Sequence, residues 1–519
     1  MKKLGLGIQD LSEFKQRNFI YVDKTESIYK LTDDGKYYFF SRPRRFGKSL
    51  LVNTIKDLFE CKKELFEDTR IYNKWNWEDK HPVIKISFTE MDYEEEGLKK
   101  ALEIRLDKLA DKHGIQYKYA NNYSSKFLEL IEKLGHEKPV VILIDEYDKP
   151  VIDYLEADTF KKAQENRGIL KSLYAGVKDL DKYIRFFFLT GVSKFSRVSI
   201  FSDLNHLTDI SIAKDYAVLL GYTEQEIKKY YNEYLKKAAR EFRFSEQVLM
   251  ENIKKWYNGY SWDGRNFVYN PYSVLSFLSL KAFDNFWFET GSPSFLIKQM
   301  KKSGQHINSS INRMVSKTVF NKYDIDNLNT TAIMFQTGYL TIKEHDPDPE
   351  KNTYLLDFPN KEVRESFLNF AVNNYADTST QEMEYIIDLL IKALKENDMQ
   401  SFFTALQSLF SSIAVKQLDK VKEYEGFYHS IIYIVLKIVG IKIDCEIQSG
   451  FGTTDVVIKN DDYIYVFEFK MGLAQTALDQ IKNKKYYAPY ISDKRTVMMV
   501  GFGFDKAERN LTEFIEETV

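Results

Sequence analysis

Short apolar runs recur through the first two hundred residues, separated by longer stretches with helical spacing. Tyr37-Tyr38-Phe39-Phe40 reads as a strand, with a helix after it over about 49–60. Residues 83–88 read as a second strand and 97–112 as a helix. Val140 to Ile144 carries no polar side chain, the mark of a strand buried on both faces, and Ile184 to Leu189 repeats the pattern. Strands alternating with helices predict a parallel α/β sheet. From about Gly221 the spacing turns helical, and Asn270-Pro271-Tyr272 marks a turn that opens a helix. Asp346-Pro347-Asp348-Pro349 marks a loop or hairpin connection, and helices resume over 381–409. From about Lys422 the order reads helix, strand, hairpin, strand, helix, strand. Boundaries are expected near residues 220, 290 and 400.

A chain of 519 residues exceeds what one core supports, and 44% hydrophobic with 15% aromatic residues fill several. The net charge of -2 supplies no global basic field, so any nucleic-acid contact must come from local patches. Cys61 and Cys445 are the two cysteines, which argues against a disulfide framework or a cysteine-rich zinc site and fits a reducing cytoplasm. No apolar run is long enough to span a bilayer and no signal peptide is expected, so a cytoplasmic location without membrane contact is predicted.

The strongest local signal is Ser41-Arg42-Pro43-Arg44-Arg45-Phe46-Gly47-Lys48-Ser49, placed between a strand and a helix. That is the setting of a phosphate-binding loop, in which backbone N–H groups and a helix N-terminus cradle phosphates. Lys48 would reach the β- and γ-phosphates and Ser49 would ligate Mg²⁺, with Arg44, Arg45 and Gly47 around them. Arg42 stands where the loop's first glycine is usual, so the loop is expected to take a modified path. A second signal is the acid pair Asp145-Glu146 at the end of the apolar run from Val140. Parallel sheets bind ligands at the carboxyl ends of their strands. Asp145 would hold the Mg²⁺ shell and Glu146 would orient the attacking water. The third apolar run ends in Thr190-Gly191-Val192-Ser193-Lys194. Ser193 and Thr190 are candidates to sense a γ-phosphate, against the plainer reading of a polar turn cap, and Arg197 is a candidate arginine finger.

These segments resemble the bacterial AAA-ATPase-like family, through Arg42 to Leu50, Phe19 to Thr25, Leu143 to Asp148 and Thr190 to Lys194. Leu220 to Glu224, Trp256 to Tyr260 and Tyr269 to Ser273 extend the resemblance over about 290 residues. It implies an ATP-binding fold with a helical, winged-helix-like lid, and it makes Arg42 a family trait.

Towards the C-terminus, Thr453-Thr454-Asp455 leads into Val456-Val457-Ile458, and Asn460-Asp461-Asp462 turns into Tyr463 to Lys470. Glu468 and Lys470 share one face of that strand, and a hairpin brings Asp455 beside Glu468. Two carboxylates and a lysine suit Mg²⁺, which would lower the pKa of a bound water and clamp a scissile phosphate. Lys470 would position that water. Glu425 and His429 share a face of the preceding apolar helix, from which Glu425 would complete the metal site. Gln480, Lys482, Lys484, Lys485 and Tyr486 are placed on the next helix, near a phosphate backbone. Alone, Asp455 with Glu468-x-Lys470 is more often a solvated face. The order of elements resembles the PD-(D/E)xK nuclease superfamily over about the last 100 residues, with Thr453-Thr454 where relatives often carry a Gly-Arg pair.

The expected fold class is therefore α/β: a P-loop NTPase parallel sheet over 1–220, a helical lid over 221–290, a helical linking region over 291–400, and a restriction-endonuclease-like domain over 401–519. The function implied is an ATP-binding protein, an ATPase, coupled to a Mg²⁺-dependent nuclease-like domain that acts on nucleic acid, DNA favoured, in defence or DNA repair. The alternative is a nucleotide-switched module that binds nucleic acid or protein through an inactive nuclease fold. Oligomeric state stays open. The aromatic run Phe283 to Phe288 is expected in a core, and His306 and His345 at the surface.

Overall fold

Four of the five strands of the first sheet are the apolar runs. The computed structural model describes every residue except 157, 195–199, 201–203, 205, 291–293, 304–310, 322, 325, 349, 377–379, 412–423, 444–445 and 449–454. The described chain divides into two compact units, Met1–Phe295 with Ile311–Val363, and Leu296–Ser310 with Arg364–Val519.

The first unit is built on a five-stranded parallel sheet of β1 (Tyr37–Ser41), β2 (Val83–Ser87), β3 (Val140–Asp145), β4 (Ile184–Gly191) and β5 (Thr208–Asp209). The strand order is β2-β3-β4-β1-β5. β1 and β3 are buried at every position, as helices on both faces of a parallel sheet require. The register pairs Ser87 with Asp145, and Ser41 with Gly191, so the polar strand ends line up along one edge. Helices Lys48–Phe59, Leu98–Lys112 and Tyr123–Gly135 connect the strands. Asn122 begins the last of these with a capping box, its side chain accepting from Ser125 N while Ser125 answers to the Asn122 backbone.

Helices Glu224–Tyr230, Asn232–Phe242, Glu246–Tyr257 and Pro271–Leu280 follow. Their core holds Ile227, Leu235, Leu249, Ile253 and Phe277 together with Ile20 and Val22 from the N-terminal segment. Asn270 caps the last helix by accepting from Ser273 N, with Pro271 in the first turn, where its missing N–H costs nothing. The aromatic run lies in the core: Phe283 packs on Tyr257 and Phe277, and Trp287 is buried. The middle stretch adds to its helices an antiparallel sheet of β6 (Arg313–Ser316), β9 (Thr341–Asp346) and β10 (Thr353–Asp357), in the order β6-β10-β9, and a small hairpin of β7 (Tyr323–Asp324) and β8 (Asn327–Leu328). β9 and β10 form a hairpin across the Asp-Pro repeat. His345 is half-buried rather than at the surface: its ring stacks on Tyr354 at 4.3 Å and meets Asn352 Oδ1. His306 lies outside the described residues.

The second unit carries helices Thr380–Glu396, Met399–Ser411 and Tyr424–Ile443 and a sheet of β11 (Glu446–Gln448), β12 (Val456–Lys459), β13 (Tyr463–Met471), β14 (Thr496–Asp505) and β15 (Asn510–Thr518). The strand order follows the sequence, antiparallel except for the β13–β14 pair, which helix Ala474–Lys484 connects. Alternation along β13 sorts its side chains: Ile464 and Val466 pack on Leu478 and Ile481 of that helix, while Phe467 and Phe469 stack with Phe402 and Phe502 on the other face. β15 extends the sheet beyond the last strand expected. No helix among the described residues is long and apolar enough to cross a membrane.

Candidate functional site

In the first unit the loop from Arg42 to Gly47 leaves β1 and enters helix Lys48–Phe59. Arg45 and Gly47 both take left-handed backbone angles, φ 65° and 92°, which fold the loop over the helix N-terminus. Lys48 is buried, and its Nζ donates to Arg42 O at 3.0 Å and Pro43 O at 2.9 Å. Burial pushes its pKa down, against the pull of Glu146, Asp145 and Asp148, and the Arg44 charge adds to the lowering. A buried ammonium facing three carboxylates beside a curled loop fits a polyanion accompanied by its counter-cation.

Arg42 does not obstruct the cradle. Its guanidinium is buried, donating to Ser41 O, Ser211 O and Tyr216 O, and lies 3.7 Å from the centre of the Trp262 ring and 4.2 Å from that of Phe40. Its carbonyl accepts from Lys48 Nζ. The loop is held from outside by aromatic residues: Phe46 meets Tyr260 and Trp262 edge-on, and Trp287 Nε1 donates to Arg44 O at 3.1 Å. Arg44 and Arg45 are exposed, with the Arg45 guanidinium 5.0 Å from the Tyr272 ring.

Asp145 ends β3 and is buried; burial raises its pKa, and a hydrogen bond with the Ser49 side chain holds it down. Its Oδ1 is buried with no hydrogen-bond partner among the described residues. An orphaned carboxylate oxygen beside Ser49 and Lys48 fits a hydrated Mg²⁺ shell and the phosphates it would accompany. Glu146, in a left-handed turn at φ 51°, is half-exposed and accepts from Thr89 Oγ1 at 2.7 Å. Ser193 and Thr190 are buried, and neither side-chain oxygen has a partner among the described residues. Arg197 lies outside the described residues.

Sequence reasoning left Tyr147 and Asp148 without a role. Tyr147 OH donates to Ser193 O at 2.9 Å. Asp148, 1% exposed, accepts from Val192 N at 3.0 Å and Ser193 N at 2.5 Å. Burial pushes the Asp148 carboxyl up to about 7, against these N–H donors and Lys48.

In the second unit the β12–β13 hairpin brings the acids together. Asp455 N donates to Glu468 Oε2 at 3.2 Å, and Phe469 N donates to Asp455 Oδ2 at 2.9 Å. Lys470 Nζ lies 3.4 Å from Glu468 Oε1, the oxygen to which Gln480 Nε2 donates at 2.5 Å. Glu468 is buried, and burial first, then the Asp455 charge, raise its carboxyl to about 7. A carboxylate whose ionisation burial and a neighbouring acid both disfavour fits a divalent cation, which would relieve it. Among the described residues no group of three or more His, Cys, Asp or Glu gathers as a metal site. Glu425 stands on helix Tyr424–Ile443, but its side chain and that of His429 lie outside the described residues, as do Thr453 and Thr454.

What the sequence hid is how Gln480 reaches Glu468. Glu468 pairs with Gly501 and Lys470 with Gly503 on the neighbouring strand. A Cβ on Gly501 would stand 2.5 Å from Ala474 O and 2.6 Å from Leu478 N, so the missing side chain lets helix Ala474–Lys484 lie against the sheet. The signal was present as Val500-Gly501-Phe502-Gly503-Phe504, glycine at alternate positions clearing one face of a strand. Of the lysines expected near phosphate, Lys482 pairs with Glu517. Tyr486 lies past the helix end and packs on the core instead.

Comparison with known proteins agrees with this division. Residues 5–201 match the family described as predicted AAA-ATPase, and residues 423–514 match the PD-(D/E)XK nuclease superfamily. The uncharacterized protein in the vnfD 5′ region of Azotobacter chroococcum mcd 1 is 33% identical over 535 residues, an alignment covering 100% of this chain and 99% of that protein. The two matched segments contain, respectively, Lys48 with Asp145 and Asp455 with Glu468 and Lys470. The chain belongs to the AAA-ATPase-like family, with a PD-(D/E)XK nuclease superfamily domain at its C-terminal end.

Proposed function

We propose that the chain binds and hydrolyses ATP at Lys48 and Ser49 and cuts nucleic acid, DNA in preference to RNA, at Asp455, Glu468 and Lys470, with nucleotide governing the cut. The observation that carries this reading is the convergence of Lys470, Gln480 and Asp455 on the buried carboxylate of Glu468. A buried carboxyl whose ionisation is disfavoured, gathered with a lysine and an amide, is the kind of perturbed acid that clusters at functional sites. Asp455 and Glu468 would hold Mg²⁺, which when bound lowers the pKa of its water and offsets phosphate charge. Lys470 positions the attacking water and faces the phosphate, while Gln480 fixes the Glu468 rotamer. In the first unit Lys48 carries the phosphate charge, Ser49 and Asp145 would hold the cation, and Glu146, braced by Thr89, orients water towards the terminal phosphate. Defence against foreign DNA or DNA repair is the setting such a pairing suits.

The test is incubation of the full chain with plasmid DNA, linear DNA and RNA, in Mg²⁺ or EDTA, with and without ATP. Metal-dependent cutting that Glu468→Ala and Lys470→Ala abolish, and whose nucleotide response Lys48→Ala abolishes, is the expected result. Absence of cutting under every condition overturns the nuclease half. It would favour the second reading, a nucleotide-switched binding module with an inactive nuclease fold.

A further inference from the structure

The loop after β3 grips the loop after β4. Glu146 turns the chain left-handed at φ 51°, and the two residues that follow reach sideways across the sheet edge. Tyr147 N donates to Thr190 O at 3.1 Å and Tyr147 OH to Ser193 O at 2.9 Å. Asp148 closes the grip by accepting from both Val192 N and Ser193 N. Gly191 makes room: a Cβ there would stand 2.8 Å from Tyr147 Cδ1 and closer still to Asp148 Oδ1. Beyond the grip, Lys194 N donates to Gln336 Oε1 at 2.9 Å and the Lys194 ammonium pairs with Asp209, so Ser193 is fixed from both sides.

This grip leaves one group unspent. Ser193 is 1% exposed and its Oγ has no hydrogen-bond partner among the described residues, although its N–H and carbonyl are both bound. A buried hydroxyl without a partner is destabilising, and a strand-end backbone held by a carboxylate and a phenol fixes where that hydroxyl sits. β4 lies between β1, which leads into the phosphate loop, and β3, which ends in Asp145.

We infer that Tyr147 and Asp148 are positioning residues that fix the Ser193 hydroxyl so that it distinguishes a nucleoside triphosphate from the diphosphate. The inference rests on the ATP reading given above. Asp148 acts through the backbone N–H groups of Val192 and Ser193. The loop that carries Asp145 and Glu146 therefore also sets the geometry of the detecting hydroxyl, and displacement of one displaces the other.

The experiment measures binding of ATP and ADP to the full chain by calorimetry in Mg²⁺, with steady-state hydrolysis alongside, for the parent, Lys48→Ala, Ser193→Ala, Asp148→Asn, Tyr147→Phe and Ser193→Ala/Asp148→Asn. Asp148→Asn keeps the shape but weakens a charge-assisted hydrogen-bond pair. It should lower the preference for ATP over ADP by about tenfold, the scale of one such bond, with ADP affinity held within about twofold. The fall in turnover should exceed any rise in KM. Ser193→Ala should show the same loss, and the double variant should fall no further than either single one, because both remove one interaction. Tyr147→Phe should give a smaller change of the same kind. Multiplicative losses in the double variant, equal losses of ATP and ADP affinity, or an unchanged ATP preference in Asp148→Asn would each overturn the inference while parent binding, lost in Lys48→Ala, leaves the ATP reading standing. A parent chain that binds neither nucleotide overturns both.

Discussion

Substitution of Gly501 by alanine tests how the nuclease-like site is assembled. The added Cβ would meet Ala474 O at 2.5 Å and Leu478 N at 2.6 Å, both backbone atoms of one helix, so no rotamer change relieves the clash. Ordinary contact begins near 3.4 Å, and the helix must retreat by about 0.9 Å. Overpacking of this kind costs about 1–3 kcal/mol. The same retreat stretches the 2.5 Å bond from Gln480 to Glu468 past the ~3.2 Å at which such bonds are made, freeing the carboxylate from its fixed rotamer. Hydrogen exchange read on peptides covering 472–505 is the assay, because it reports the local opening of helix and strand without requiring the whole chain to unfold in one step. Exchange there should quicken roughly 5- to 150-fold, the equivalent of that energy, while peptides of the first unit stay unchanged. Gly168 is the control. It is exposed in helix Phe160–Tyr174 with nothing within 4 Å of its Cβ position, so alanine there should slow local exchange, worth about 0.5–1 kcal/mol. Unchanged exchange over 474–484 in Gly501→Ala would refute the reasoning, for it would mean the helix does not depend on that close approach.

Three further outcomes follow from the same geometry. Arg42→Gly restores the glycine usual in phosphate loops yet should destabilise the first unit by about 3 kcal/mol or more, since it removes three donors to carbonyls and the stack on Trp262; a thermal melt followed by circular dichroism checks it, and a variant as stable as the parent contradicts it. Glu362 is buried, accepts from Ser273 Oγ and Trp287 N, and burial raises its carboxyl from 4.5 to about 8. Below pH 4.5 it is protonated in both folded and unfolded chains and exacts nothing; between 4.5 and about 8 the unfolded chain ionises first, so stability declines with pH and levels off above that window. Glu362→Gln should flatten that decline in a pH series of melting temperatures, and an unchanged slope would remove Glu362 as its source. Chelation of Mg²⁺ should speed exchange at the Asp455–Glu468 hairpin more in the parent than in Glu468→Gln, where one acid is already neutral.

The residues legible in the sequence were those whose chemistry fixes their type. A phosphate loop needs a lysine after glycine at a helix start, and a cation site needs carboxylates at strand ends, so Lys48, Asp145, Asp455, Glu468 and Lys470 could be named as candidates from their positions along apolar runs. Strands buried on both faces were equally plain. β6 was not, because three of its four residues are exposed and it lacks the period-two alternation that marks a half-buried strand. Arg42 misled for a different reason. Its place in the motif suggested a modified cradle, but a long side chain can leave the motif altogether, and its partners Ser211, Tyr216 and Trp262 are more than 160 residues away in sequence. Gln480 was named as a phosphate contact, whereas its partner is Glu468.

Both sites owe their precision to a side chain that is missing. Gly191 lets the Asp148 carboxylate reach the backbone of Ser193, and Gly501 lets Gln480 reach Glu468. In each case a polar group meets its partner where two backbone segments lie closer than a Cβ permits. Flexible side chains can approach a target in many rotamers, and holding one of them costs entropy. A backbone approach set by glycine is fixed by the packing of a whole strand against a loop or helix, so its tolerance is a fraction of an ångström. Gly191→Ala should therefore reproduce the loss of ATP-over-ADP preference expected of Asp148→Asn, although it removes no hydrogen-bonding group. An alanine variant that folds and keeps the preference would show that the carboxylate can reach Ser193 by another path, and that the close packing there serves stability alone.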